Sequence, residues 1–384
     1  METENHQFDF IIAGMGASGL SLAMQLKESN VVFNKILLID KELKNKNDRT
    51  WCFWTKEQNA WYQDIVFRTW NQFEFKSTSF QKRFDIQPYS YQMIKGIDFY
   101  HYCLDEIRRD TRFEIRTEEI LELKSEKNLG ILATKSGIYQ AKHIFNSAFR
   151  NNRIQKKDIN YVQHFKGWVI ETETDSFDET CPVFMDFRTK QFKDCRFFYV
   201  IPFSKTKALV EYTGFSSNPI PSEEYDANLK DYIKTKLNIQ YYHIHETEYG
   251  EIPMMESDFI NPYGKNIINI GTAGGNSKPS TGYTFYFIQK SIQKMVAQLE
   301  KNEPITAIKP NPKFKFYDKV LLDVIDKNKL EADVLFTSLF KNNRILTLLS
   351  FLNEETSLLN DLEIFNSVPR FAFITSAIMK GLNI

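Results

Sequence analysis

The chain has 384 residues with 49 basic and 49 acidic side chains, so its formal net charge is zero and nothing in it draws a polyanion such as nucleic acid. Its length allows a large core divided between two lobes. Four cysteines (Cys52, Cys103, Cys181, Cys195) and six histidines show neither CxxC nor metal-ligand spacing, so no metal site and no disulfide framework is expected, and a reducing compartment is.

The polar start METENHQ leads directly into a strand, which is not the pattern of a signal peptide. No run reaches the roughly eighteen apolar residues of a membrane span, so a cytoplasmic protein is expected. Aromatic residues make up 15% of the chain and Phe alone numbers 33. That excess fits a lipid-like substrate or a membrane contact; it equally fits an A/T-rich codon usage, because Lys, Asn and Ile are abundant too.

The first element is a short continuous apolar run, Phe8 to Ala13, as in a buried parallel strand. Gly14, Gly16 and Gly19 then complete GxGxxG, and a helix follows with Leu20, Ala23 and Met24 on its apolar face. A second strand, Lys35 to Ile39, ends in Asp40, about twenty residues past the last glycine, which is the full dinucleotide-binding fingerprint in its required setting. The first glycine permits the tight turn, the second lets backbone approach a pyrophosphate, and the third allows close helix packing. The pyrophosphate would rest on unpaired amides at the helix N-terminus, those of Ala17 and Ser18 among them. Asp40 would accept ribose hydroxyls. NAD and FAD fit this segment equally well.

Further along, ILATKSGIYQAKHIFNSA reads as a hairpin turning at Gly137, with a return strand to the nucleotide-binding part. From about Ile159 to Met255 strands predominate, suggesting a β-rich insertion. Within it, RFFYVIPFSKTKALVEYTGF over 196–215 is a hairpin with strands from Phe197 to Phe203 and from Ala208 to Thr213. Alternation puts Glu211 on one face with Leu209 and Thr213, and Val210 and Tyr212 on the other. Glu211 is then either a glutamate on a wet sheet face or a carboxyl in an apolar pocket, where desolvation keeps it protonated and able to deliver a proton.

An apolar strand, Ile267 to Ile270, enters a loop with Gly271, Gly274, Gly275, Pro279 and Gly282, and a helix runs from about Tyr283 to Leu299. Such a junction, with Gly271, Thr272, Gly282 and Tyr283 beside the ring, places a helix N-terminus where an anionic reduced flavin is favoured. This tips the cofactor toward FAD. After the spacer AIKPNPKF the chain turns helical, through VLLDVI, ADVLFTSLF and RILTLLSFL to RFAFITSAIMKG.

Almost the whole chain resembles the FAD-dependent lycopene cyclases of the bacterial branch that makes β-rings. The resemblance is carried by the glycine opening, NDRTWCFW at 47–54, SYQMIKGIDFY at 90–100, QHFKGWVIE at 163–171, MDFR at 185–188, FFYVIPFSKTKALVEYT at 197–213, GEIPM at 250–254, GTAGGNSKPSTGYTF at 271–285 and SFLNEET at 350–356. It implies an α/β fold: a Rossmann-like, flavoprotein hydroxylase-like FAD-binding domain at 1–155 and 256–304, a β-rich substrate domain at 156–255 and a helical C-terminal region at 305–384. It also implies a reaction without net redox change, in which the ψ-ends of lycopene or a related acyclic carotenoid are protonated, close to β-rings and lose a proton. Reduced FAD is required in the family, and NAD(P)H is the expected electron donor.

Glu211 matches the family's essential acid. Relatives usually carry a second acid directly after it, where this chain has Tyr212. The resemblance assigns Arg49 to flavin phosphate or ribose, and Trp51 and Trp54 to the substrate pocket with Asp186 (paired with Arg188) and Glu251, which could accept the departing proton. Thr272 stands where related flavoproteins often have an aspartate touching ribitol. A polyene substrate resides in bilayers, so a peripheral membrane association through the C-terminal helices is expected. Because the fold is shared, an FAD-dependent monooxygenase or desaturase acting on a hydrophobic isoprenoid is the alternative.

Overall fold

The computed structural model describes residues 5–148, 160–255, 263–305 and 311–381. Strand β1 (Asn5–Ala13) leads through the glycine turn into α1 (Ala17–Glu28), and β2 (Ile36–Asp40) lies parallel to β1. Ile11 and Ile12 are both fully buried although they point to opposite faces, which explains the unbroken apolar run. The chain then leaves this sheet for β3 (Thr50–Thr55), β4 (Arg68–Trp70), β5 (Gln72–Lys76), β6 (Gln81–Asp85) and β7 (Ser90–Lys95), of which β3, β7 and β4 form a small sheet in that order. Helix α2 (Gly96–Arg108) brings it back to β8 (Phe113–Thr117), β9 (Glu122–Glu126), β10 (Leu129–Ala133) and β11 (Ile138–Asn146). The β10–β11 hairpin turns at Gly137 as expected, and β11 runs parallel beside β1.

A second sheet is built from β12 (Asn160–Glu171), β13 (Val183–Asp186), β14 (Cys195–Pro202) and β15 (Lys207–Ser216). After α3 (Ser222–Thr235) it gains β16 (His243–Met255). Its order is β16-β12-β15-β14-β13-β5-β6, so it also recruits residues 72–85, well outside the 156–255 insertion. The boundaries expected at 155/156 and at 256 lie outside the described residues. In the hairpin, Pro202 pairs with Ala208 and Tyr199 with Glu211. Helix α3, which strand-like patterning did not suggest, covers one face with Tyr225, Leu229, Tyr232 and Ile233, all buried.

The other face of the second sheet meets the C-terminal helices. Strand β17 (Ile267–Asn269) first rejoins the nucleotide-binding sheet beside β11, and α4 (Phe285–Glu300) packs on α1. There follow α5 (Pro312–Asp326), α6 (Ala332–Asn342), α7 (Ile345–Leu352), α8 (Leu358–Ser367) and α9 (Arg370–Gly381). Asn311 caps α5 by accepting from the amide of Lys313, with Pro312 at the first helical position. Phenylalanines hold α6 against the sheet: Phe340 stacks on Phe75 at 4.3 Å between ring centroids and Phe336 on Phe187 at 5.1 Å. Lys278, buried in the loop before α4, bonds Asp318 of α5 at 2.9 Å and Glu354 beyond α7 at 2.7 Å. This buried triad ties the loop to the helical region, and removing one member would strand a charge in the interior.

Candidate active site

The glycine turn shows each of its three expected uses. Gly14 has φ +104°, and a Cβ there would lie 2.3 Å from Ser147 Oγ. A Cβ on Gly19 would fall 1.9 Å from the Gly14 carbonyl oxygen, so α1 can sit this close to the turn only with glycine. A Cβ on Gly16 would meet nothing within 4 Å, because Gly16 opens onto a cavity. Gly16 is also the N-cap of α1 and offers no side-chain acceptor to the first helical amides, which leaves them free to bind an anion. Asp40 accepts from the Met15 amide at 2.7 Å and so fastens the turn as well as ending β2. An open cradle over uncapped amides is what a pyrophosphate needs, and these residues fit the dinucleotide the sequence suggests.

The cavity holds about 450 Å³ and lies where the nucleotide-binding part, the small sheet and the second sheet meet. Gly16, Ala17 and Ser18 line it, with Arg49, Trp51, Thr272, Gly282 and Tyr283, and the N-terminus of α4 reaches it through Thr284 and Phe285. Glu211 and Tyr199, opposite each other across the β14–β15 hairpin, form part of the wall together with Tyr91, Phe165 and Leu209. Tyr199 and Tyr283 line the same cavity. Glu211 is half-buried, and Thr213 donates to its Oε1 at 2.7 Å, which confirms the face deduced from alternation.

The electrostatics of this wall are unusual for a carboxyl. Burial, followed by the charge of Glu248 beside it, pushes Glu211 well above the ordinary carboxylate range, and the Thr213 hydroxyl opposes this only in part. Glu248 is likewise raised by burial, but the Thr50 hydroxyl and the Arg49 charge pull it back. Glu211 is thus the carboxyl whose ionisation is disfavoured more, and it opens onto an aromatic cavity.

The structure brings Glu211, Gly16, Ala17, Ser18, Arg49, Trp51, Glu251, Thr272, Gly282 and Tyr283 to one cavity. Arg49 donates to the carbonyls of Asp48 at 2.7 Å and Tyr249 at 3.3 Å. Glu251 is exposed at the rim, where Tyr249 donates to it at 2.6 Å. Gly14, Gly19, Asp40 and Gly271 support the turn and loop from behind the wall; Gly271, at φ +63°, lets the loop close on Ser18.

Two residues expected in the substrate pocket are elsewhere. Trp54 is 2% exposed, donates to the Leu349 carbonyl at 3.2 Å and packs edge-on against Tyr283, so it backs the wall without facing the space. Asp186 is 0% exposed and takes Arg188 at 2.6 Å and the Tyr232 hydroxyl at 2.7 Å, which locks β13 to α3 on the far side of the sheet. Tyr212 is also on that far side, stacked on Phe198 at 4.7 Å. Tyr199, Tyr91 and Phe165 were not singled out from the sequence. Tyr199 was within reach of it, since the Ser204–Thr206 turn fixes the register that sets it opposite Glu211.

The fold is that of flavoproteins. The chain is similar to a flavoprotein/dehydrogenase from Cytophaga hutchinsonii, with TM-score 0.67, 14% identity, and 99% of this chain and 100% of that one covered. It is also similar to a geranylgeranyl bacteriochlorophyll reductase-like protein from Thermoplasma acidophilum, with TM-score 0.60, 12% identity and 99% of both chains covered. A p-nitrophenol 4-monooxygenase from Pseudomonas putida matches with TM-score 0.58, 11% identity and 98% of both chains. No curated protein matches the sequence significantly. The lycopene cyclase protein family model matches residues 9–378, and the chain belongs to that family.

The displaced titration of Glu211 has a consequence for stability. Its ionisation costs more in the folded than in the unfolded chain, so its contribution is intact at low pH and is lost as pH rises through the raised folded pKa. Glu211→Gln, which cannot ionise, should therefore match the wild type below the ordinary glutamate pKa of about 4 and melt progressively higher than it as pH rises from there toward the raised folded value. Calorimetric melting across pH checks the sign.

Proposed function

We propose that this protein is a lycopene β-cyclase, an isomerase that closes the acyclic ψ-ends of lycopene to β-rings, giving γ-carotene and then β-carotene. The observation that supports it most directly is Glu211, a carboxyl whose ionisation burial and Glu248 disfavour, on an aromatic wall of the cavity that the glycine turn opens into. Family membership supplies the substrate class.

The chain's own groups account for the steps. Glu211 delivers its proton to the terminal double bond of the ψ-end, where the missing hydration makes transfer to carbon less unfavourable than in water. The tertiary cation is met by the π-faces of Trp51, Tyr91, Tyr199 and Tyr283, which attract it without trapping it as a nucleophile would. A nearby double bond closes the ring, and loss of a proton leaves the β-ring; Glu251 at the rim is the candidate acceptor. Gly16, Ala17, Ser18, Arg49, Thr272 and the α4 N-terminus would hold FAD. When bound in its reduced form, with NAD(P)H as electron donor, FAD supplies negative charge near the cation.

The substrate would come from a bilayer. Among the described residues no helix is long and apolar enough to cross a membrane. Helices α8 and α9 expose Leu358, Leu359 (76%), Leu362, Phe371 (84%), Ile374 and Ile378. Phe371, Ile374 and Ile378 recur at helical spacing on one face of α9, an arrangement suited to lying in a lipid surface. The protein is on this reading cytoplasmic and peripherally attached.

Three measurements test the proposal. Purified protein incubated anaerobically with lycopene liposomes and chemically reduced FAD should yield ringed product of unchanged mass, and Glu211→Gln should lower turnover by about 10²- to 10⁴-fold. A product heavier by oxygen, with NAD(P)H consumed, would instead establish the monooxygenase. Gly16→Val should leave the melting temperature of the cofactor-free protein nearly unchanged, since the new side chain enters open space, and weaken FAD binding at least about a hundredfold by filling the cradle. Replacing Phe371 and Ile374 with Glu should release the protein from phosphatidylcholine vesicles in flotation; undiminished flotation would remove α9 from the docking surface.

A further inference from the structure

Glu248 lies behind the cavity wall and has no part in the steps above, yet three adjacent strands set it against Glu211. Gly167 of β12 pairs with Glu211 of β15 on one side and with Glu248 of β16 on the other. The three residues form one row across the sheet, and side chains in such a row emerge on the same face. Because the middle residue is glycine, no side chain separates the carboxyls. A Cβ at 167 would stand 2.8 Å from Leu209 Cδ1, 3.1 Å from Glu248 Cγ and 3.2 Å from Glu248 Oε1.

The hydrogen bonding of the pair is incomplete without a proton. Glu248 is 8% exposed; its Oε2 accepts from Thr50 at 2.8 Å, while its buried Oε1 has no hydrogen-bond partner among the described residues. The register sets the two carboxyls side by side, each within the other's electrostatic reach, and two carboxyls can share a hydrogen bond only when one is an acid. The groups facing the pair are Thr213 from β15, Tyr199 from β14, Arg49, Thr50 and Cys52 at and within β3, and Glu246 along β16. Arg49 and Thr50 favour charge on Glu248, so the proton belongs on Glu211.

We propose that Glu248 is a positioning residue for Glu211: the two carboxyls share one proton, seated on Glu211 and held there by ionised Glu248. The proposal rests on Glu211 being the acid of the site and adds what keeps it charged with a proton. When the Glu211 O–H bond breaks and the substrate C–H bond forms, two bare carboxylates are left face to face in a dry setting. Like charges so placed do not both persist, so the pair takes up a proton from solvent or the one released on ring closure, and the cycle balances.

Infrared difference spectroscopy on the full-length protein, followed across pH, reads the pair directly through the carbonyl stretch of a protonated carboxylic acid. The wild type should keep an acid band at neutral pH that the Glu211→Gln, Glu248→Gln double variant lacks. In Glu248→Gln the band should titrate at least about one pH unit lower, a tenfold change in the acid's ionisation constant. Thr50→Val, nearly isosteric, should move it the opposite way by weakening the ionised Glu248. Where turnover is measurable, the alkaline limb of kcat/KM should follow the band in each variant. A wild type without the acid band, or a titration midpoint unchanged in both Glu248→Gln and Thr50→Val, would overturn the pairing. That result is independent of turnover: absence of any cyclisation by wild type would sink the cyclase reading while the band still reports on the two glutamates.

Discussion

A carboxyl removed from water and set beside another carboxyl ionises only at high cost, and the site is arranged around that constraint. Glu211 and Glu248 come from strands that flank the same glycine, so the sheet itself fixes their approach and no loop has to hold it. Each carboxyl has a hydroxyl, Thr213 for Glu211 and Thr50 for Glu248, and Glu248 has the Arg49 charge besides. This asymmetry puts the acid form on the member that faces the cavity. Rigid strands would suit the proposed proton transfer better than loops, because carbon is a poor acceptor that forms no hydrogen bond to draw the donor in.

The dinucleotide-binding part was legible in the sequence because its signals are local. Strand, GxGxxG, helix and terminal acid fall within residues 8–40, and each glycine is required by a contact a few residues away or just across the turn. The hairpin around Glu211 was legible for the same reason: period-two alternation over 208–213 set its face correctly. Glu248 was not. Its relation to Glu211 passes through Gly167 of β12, far from both in sequence, and depends on a register that no local pattern encodes. The signal was the glycine in HFKGWVIE, an otherwise bulky strand where a missing side chain marks a close approach.

Trp54 and Asp186 show the converse. Both stand in blocks shared with the family, and both are buried, yet they face away from the cavity. Trp54 gives a rigid back to Tyr283, and Asp186 anchors the helix that covers the other face of the sheet. Tyr212 explains why an acid was not needed there: at that position a side chain points toward α3, into the cluster of Phe198 and Tyr232. A second acid effective on Glu211 has to come from elsewhere in the sheet, and β16, one strand beyond β12, brings one.

The many phenylalanines have two fates that composition could not separate. Most of those on the second sheet, such as Phe73, Phe75, Phe184 and Phe187, are buried against the C-terminal helices, where each pays for its place by excluding water from a sheet that is apolar on both faces. Phe371, by contrast, lies open with Ile374 and Ile378 on the last helix. The same helical region therefore closes the core on its inner side and leaves an apolar strip on its outer side. Reductase-like and monooxygenase proteins share this fold, so neither the nucleotide cradle nor the layered architecture selects a chemistry. On the proposed reading what selects it is the wall, where an acid disfavoured from ionising by its partner sits among aromatic side chains suited to meet a cation.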